Sequence, residues 1–390
     1  MVGQMGEWEM VRLGDVCDIL DHMRVPVTAS DRTKGIYPYY GANGVQDYVD
    51  DYIFDDELVL LAEDGGHFGS RENPIAYRVS GKCWINNHAH VLKPKNNLNV
   101  DYLCYSIMFY DVMPLISGTT RAKLNQAAVR KMTIPLPPLP VQRKIAETLD
   151  LATALIEKRK AQIAKLDLLV KSQFVTMFGD PVTNPMGWDA REIQEICATI
   201  VDCPHSTPKY TKTDTGYMCI RTTIVKPNLI LWSDIEFIEK SEFLERTKRK
   251  KPSRGDVIYT REGAILGIAA VIDVDCDVAL GQRSMLLSPN AELCNPQYLS
   301  HTMNMDSFSQ KARTSTTGSA SPHINVGDVK KFIVPIPPLA LQTQFAAFVE
   351  HVEKQKVKLK QGLELMALEY KALMQRCFWG SMFAEEEKTK

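Results

Sequence analysis

The chain has 390 residues, 45% of them hydrophobic and 24% charged, with a formal net charge of -1 at pH 7. That composition suits two or three folded domains with real cores and excludes a disordered or fibrous chain. The near-neutral balance gives no global attraction to a polyanion, so contact with nucleic acid has to come from local clusters.

No apolar run is as long as a membrane span, and the opening MVGQMGEWEM has neither a basic n-region nor an apolar h-region, which predicts a cytoplasmic protein without a membrane partner. The nine cysteines show neither CxxC nor zinc-like Cys/His spacing, so they are expected to be reduced and structural.

In chain order, WEMVRLGDV from Trp8 reads as a short strand and turn. A tract of short strands follows: IYPYYGANG from Ile36, YIFDDELVLLAEDGG from Tyr52 and KCWINNHAHVLKP from Lys82. Each alternates polar and apolar residues between Gly, Asn and Pro breaks. NVDYLCYSIMFY turns helical, and SGTTRAKLNQAAVRKMTIPLPPL leads to a long helix. The prolines Pro135, Pro137 and Pro138 forbid helix before them and allow it just afterwards. From Leu139 to Met177 that helix would be about 58 Å long at roughly 1.5 Å per residue, more than one turn of B-DNA at about 34 Å.

The second half repeats this order. WDAREIQEI from Trp188 answers the first strand, and RKKPSRGDVIYTREGAILG from Arg249 answers DELVLLAEDGGHFG. ALGQRSMLLSP from Ala279 answers INNHAHVLKP, and PQYLSHTM answers VDYLCYSI. At the junction with the second long helix, TGSASPHINVGDVKKFIVPIPPL matches without gaps at an offset of two hundred: Gly118 with Gly318, Asn125 with Asn325, Val129 with Val329, Lys131 with Lys331 and Gln142 with Gln342. A repeat of this kind outranks any local reading of secondary structure.

Alternate steps of four and three from Ile145 meet Leu149, Ala152, Ile156, Arg159, Ile163, Leu166, Val170, Gln173 and Met177. From Phe345 they meet Val349, Val352, Lys356, Leu359, Leu363, Met366, Tyr370, Leu373 and Cys377, so each helix carries a coiled-coil seam and the other copy is its natural partner. Arg159 and Lys356 interrupt the seams, either to set the antiparallel register or simply to snorkel at a helix edge.

The expected fold is therefore α+β, with two β-rich domains separated by two long antiparallel helices in a coiled coil and an internal pseudo-two-fold repeat. The segments are residues 1–138, helix 139–178, residues 179–338, helix 339–379 and a charged tail, 380–390, expected to be functionally silent.

The helix starts PLPPLPVQRKIA and PIPPLALQTQFA, the loops SGTTRAKLN and TGSASPHIN, and FGDPVTNPMGW at the head of the second unit together resemble the specificity subunit of type I restriction-modification systems, over nearly the whole chain. The resemblance implies two target recognition domains, each reading one half of a bipartite asymmetric DNA site, with the helices as spacer. It also implies two modification subunits that supply the methyltransferase chemistry with S-adenosylmethionine, restriction subunits as further partners, and no cofactor in this chain.

The residues suggest the same reader. Two similar domains with unlike polar faces suit two unlike short sites on one duplex, and base contacts belong at breaks between strands. The first domain offers Tyr39, Tyr40, Asn43, His67, Arg71, Asn86, Asn87, His88, Thr119, Arg121 and Lys123. The second offers Arg221, Thr222, Arg261, Glu262, Gln282, Arg283, Ser284, Ser319 and His323. Lys248, Arg249, Lys250 and Arg254 of ERTKRKKPSR suit phosphate. Partner contact is expected at the helix starts: Leu139, Gln142, Arg143, Leu339, Gln342 and Thr343.

Catalysis and metal binding are not expected. Asn-Pro-Pro-Tyr and Asp-Pro-Pro-Phe type stretches are missing, as is a glycine-rich cofactor loop after a strand, and paired acids with a following lysine do not occur at strand spacing. His88 and His90 share one strand face but lack a third ligand, and EDGGHFG lacks the lysine and helix of a phosphate loop, leaving a turn. An adaptor with inert β domains is the remaining alternative, although it has no need of two different polar faces.

Overall fold

A computed structural model describes residues 8–70, 72–118, 122–263, 265–314 and 322–378. The chain forms two compact units, residues 1–160 with 362–390 and residues 161–361, so each long helix is divided between them.

In the first unit a six-stranded sheet runs in the order Cys17–Ile19, Ala89–Pro94, Phe54–Ala62, Ala76–Ile85, Lys34–Gly41, Gly44–Val49. The pairing is antiparallel except that Tyr39 and Tyr40 run parallel to Trp84 and Ile85. LVLLA is an unbroken apolar run because this strand packs into an apolar core on each of its faces. Val59 and Leu61 join a core with Tyr102, Leu103, Ile145 and Leu149, while Leu58 and Leu60 face Val79, Ile85 and Val91. The last helical segment, with Tyr370, Leu373 and Cys377, closes the first of these cores.

The second unit has a four-stranded sheet, Cys197–Asp202, Ser284–Pro289, Val257–Thr260, Ala269–Val271, beside a three-stranded one, Glu236–Phe237, Met218–Ile220, Val278–Leu280. Val257 and Tyr259 face the helices while Ile258 faces Ile220 and Leu286. Here the first helix contributes Val170, Phe174 and Phe178, and the second Phe345, Val349 and Val352. The ring centroids of Phe174 and Phe345 are 5.4 Å apart, and those of Phe178 and Tyr298 4.8 Å. Burying such a ring contributes roughly 2–3 kcal/mol.

The long helices span Leu139–Phe178 and Leu339–Phe378. The start of one and the end of the other meet in each unit, so they run antiparallel. Every seam position of both helices is buried or half-buried, while most positions between them are exposed. The cations in the seams are met by the opposite helix, which favours register over snorkelling. Lys356 is 9% exposed and bonds Asp167 at 2.6 Å, and Arg159 lies over Gly362, where a Cβ would stand 2.9 Å from its Nη1. A glycine in mid-helix costs about 1 kcal/mol relative to alanine, and here it makes room for that guanidinium.

The repeat extends to the short elements. Met10–Arg12 pairs with Thr133–Pro135 as Ala190–Glu192 pairs with Ile333–Pro335. The helices Val100–Ile107 and Pro296–Asn304 begin at Asn99 and Asn295, whose side chains cap Tyr102 N and Gln297 N at 2.9 Å. Eight of the nine cysteines are buried, as suits small apolar fillers. No helix among the described residues is long and apolar enough to cross a membrane.

Candidate nucleic-acid interface

Three loops converge in each unit through the same main-chain bonds. In the first, Glu63 N donates to His88 O at 2.8 Å, Leu124 N donates to Glu63 O at 2.8 Å, and Asp64 bridges Lys123. In the second, Arg261 N donates to Arg283 O at 3.0 Å, Ile324 N to Arg261 O at 2.9 Å, and Glu262 bridges His323. In each unit two of the loops adjoin strands and the third, ending at Leu124 or Ile324, leads into a short helix, so the main-chain bonds of the junction are shared while the side chains differ.

Those side chains carry opposite charge at equivalent places. Glu63 is buried and accepts from Arg24 Nη1 at 2.6 Å and pairs with Lys123 Nζ at 2.8 Å. Its counterpart Arg261 is buried and forks onto Asp202 at 2.9 and 3.0 Å, with Glu262 at 2.8 Å from Nη1. A buried charge persists only when paired in this way.

Behind Glu63, His90 is 1% exposed, with Nδ1 2.6 Å from Asp21 Oδ2 and Nε2 2.7 Å from Leu124 O. Burial works against the ionisation of Asp21, but the bond and charge of His90, the Val91 N–H and the Arg24 charge outweigh it and hold its carboxyl below the usual range. Burial likewise opposes ionisation of Glu63 and is overcome by Lys123, Arg24 and His90. One donor atom each from Asp21, Glu63 and His90 lies within 4.8 Å of the others, a spacing that a cation could use. Arg24 and Lys123 already occupy the carboxylate oxygens, so the set is an internal ion-pair network.

Several sequence-selected residues prove to be scaffold. Tyr39 is 1% exposed, its hydroxyl accepting from Val27 N at 3.1 Å under the Arg32 guanidinium. Asn86, 3% exposed, donates to Gln46 and accepts from His88 N. Ser284 is 2% exposed within a strand, and Arg261 is consumed by its carboxylates. Gln142 and Gln342 are fully buried and bonded, so they support the helix starts instead of facing a partner. Leu139 and Leu339 are half-buried, whereas Arg143 and Thr343 are exposed.

Others stand near the junctions with surface to offer. Asn43 is exposed and donates to Gly65 O at 3.0 Å; His67, Asn87 and Lys123 are exposed. His88 is tied through Nδ1 to Asp64 at 2.7 Å. Tyr40 and Thr222 are half-buried, and Arg221 pairs with Glu236 at 3.2 Å. In the second unit Gln282 accepts from Thr207 Oγ1 at 3.0 Å, Glu262 and His323 are half-buried, and Arg283 is exposed. Arg71, Thr119, Arg121, Ser319 and the tail 380–390 lie outside the described residues.

The basic run is largely neutralised within its own unit. Lys248 pairs with Glu245, Lys250 with Asp256 at 2.7 Å and Arg254 with Asp275 at 3.3 Å, which leaves Arg249 exposed without an ion pair among the described residues. Sequence reading missed Asp21, Arg24, Glu63, Asp64, Asp202 and the exposed His205, 3.3 Å from Asp202. One neutralising acid, Glu245, opens the run itself, and the others, Asp256 and Asp275, follow it, so the run read by its cations alone overstated its charge.

Comparison with known proteins is consistent over most of the chain. A family model for the type I restriction modification DNA specificity domain matches residues 5–166 and 185–367. A Haemophilus influenzae chain described as a type I restriction enzyme specificity subunit is 28% identical over 371 residues, 93% of this chain and 91% of that one. The Methanocaldococcus jannaschii type I restriction enzyme MjaVIII specificity subunit is 23% identical over 376 residues, 89% and 86% of the two chains. In fold, the crystal structure of the type I restriction-modification S subunit from M. genitalium superposes with a TM-score of 0.57 at 12% identity, covering 97% of this chain and 98% of that chain.

Proposed function

Because the chain belongs to the type I restriction modification DNA specificity domain family, we propose that it is a non-catalytic recognition subunit whose two units each read one half of a bipartite asymmetric site on double-stranded DNA. The observation that carries this reading is the pair of three-loop junctions, alike in backbone and opposite in charge, around Glu63 and Arg261. One scaffold can hold two different sets of base contacts only if its supports are rebuilt, as they are here.

Two 40-residue helices set the spacing between the half-sites. Their equivalent starts, near Arg143 and Thr343, dock two copies of a modification subunit, whose chemistry uses S-adenosylmethionine, in the cytoplasm. The bases lie in the grooves and the phosphates flank them, so base-edge contacts specify and phosphate contacts position.

Methylation mapping tests this directly. DNA from cells that express the chain with its modification partner should carry a split motif, and replacing residues 1–138 by another recognition domain should change one half of it only. Unchanged methylation, or a motif without two halves, would put the adaptor reading ahead.

A further inference from the structure

Among the described residues three non-glycine residues have a left-handed backbone: Asn184, Asn228 and Arg283, the last with φ 69°. Asparagine tolerates that region because its amide bonds locally. Asn184 does so with Trp188 O at 2.8 Å, whereas Asn228 Oδ1 is held by the distant Ser300 and Asn304. Arg283 gains neither kind of side-chain bond among the described residues, so its strain has to be held through its backbone. Arg261 N takes its carbonyl at 3.0 Å, and the next residue, Ser284, is held by Cys203, donating its N–H to Sγ at 3.3 Å and accepting Cys203 N at 3.2 Å.

The strained turn delivers an exposed side chain at the three-loop junction. Arg283 lies beside Gly263, where an added Cβ would stand 3.4 Å from its Nη1. Its guanidinium has no hydrogen bond or ion pair among the described residues, in contrast to Arg261, which is spent on Asp202 and Glu262, and Arg221, which pairs with Glu236. The equivalent residue of the first unit, His88, is tied to Asp64. An unstrained lysine would suffice for a phosphate, which needs only positive charge. A planar fork carried on a held backbone suits bidentate recognition of an edge with two acceptors, and strained positions held by their surroundings cluster at functional sites.

We propose that Arg283 is the specificity-determining residue of the second unit and reads a guanine through its O6 and N7 in the major groove. The proposal rests on the DNA-recognition reading above. Arg283 forms two parallel N–H donations to that edge, which adenine, with an amino group at the same place, cannot accept. The junction's other arginine acts from behind by holding the Arg283 carbonyl.

The test uses the full chain co-expressed with its modification subunits, as wild type, Arg283→Lys and Arg283→Gly, with methylation motifs mapped genome-wide. Lysine keeps the charge and loses the fork; glycine adopts the left-handed backbone freely and keeps the turn. The expected result for both is that one guanine of one half-site becomes degenerate, with discrimination there reduced about 5- to 150-fold, while the other half-site and the spacing are unchanged. An unaltered motif in both variants, or a uniform fall in methylation with every position still read, would overturn the assignment in favour of a phosphate contact or none. A wild-type chain that gives no split motif would overturn the recognition reading itself, a separate outcome.

Discussion

Gln142 and Gln342 stand two hundred positions apart and make the same three hydrogen bonds. Gln142 Oε1 accepts from Asn99 N at 2.8 Å while its amide donates to Asn97 O at 3.0 Å and Pro137 O at 2.7 Å. Gln342 accepts from Asn295 N at 2.8 Å and donates to Leu293 O at 3.1 Å and Pro337 O at 2.7 Å. Each clamps the start of a long helix to the loop that caps a short one.

Replacement by leucine keeps the volume and orphans a buried N–H and two carbonyls. We expect Gln142→Leu and Gln342→Leu each to lose on the order of 3 kcal/mol, with faster amide exchange at Asn99 and Asn295 respectively. Denaturation and hydrogen exchange of the full chain measure both; a large loss in one variant and none in the other would show that shared geometry does not carry shared energy here.

Arg261 and Asp202 form the supporting pair of the second junction, with the arginine side chain 5% exposed and the aspartate 17%. Asp202→Ala takes the forked partner from a buried cation and leaves it only Glu262, which should cost about 3 kcal/mol. The double change Arg261→Met with Asp202→Leu removes both charges and should be less destabilising than Asp202→Ala alone. Urea midpoints decide the order, and a double variant worse than the single one would mean that the pair does more than satisfy itself.

Acid should weaken the two units for different reasons. Glu63 and Asp21 have carboxyls lowered from 4.5 and 3.8, so their contribution is present above those values and lost as pH falls through the lowered folded ones. In the second unit, burial and then the Lys356 charge lower His301 from 6.5 to about 4. The unfolded chain therefore takes up that proton first, and stability declines as pH falls from 6.5 towards 4, by at most roughly 3 kcal/mol. His301→Phe should flatten that limb, and the His301 ring resonances should not titrate near neutrality; a midpoint close to 6.5 would remove the basis of the prediction.

Salt dependence distinguishes the basic residues near Lys250. Arg249→Ala should reduce the slope of log affinity against log salt by about 1 without altering the motif. Lys250→Ala instead releases Asp256, which is 5% exposed and also bonds Ser253, and should lower stability. Equal effects of the two on the slope would show that the Lys250 pair opens on DNA.

Much of the fold was legible because it depends on local rules applied twice. Proline fixes where each long helix starts, the 3.5-residue seam says which face is covered, and the junction residues Asn125 and Asn325 recur at the same offset as Gly118 and Gly318. The candidate site was legible in its loops and much less so in its residues. Tyr39, Asn86, Arg261 and Ser284 lie at strand ends where outward and inward side chains alternate, and a break in pattern does not say which way a given residue turns.

The sequence by itself determined that one unit is used twice, where its helices begin and which of their faces meet, since these follow from backbone sterics and periodicity along a single element. Only the tertiary structure decided that Glu63 and Arg261 occupy equivalent buried places with opposite charge, that Gln142 and Gln342 are clamps, and that Arg283 is left free on a strained turn. Those facts depend on partners such as Arg24, Asp202 and Cys203, dozens of residues away along the chain. Pairing of that kind is set by packing in three dimensions, which no spacing records.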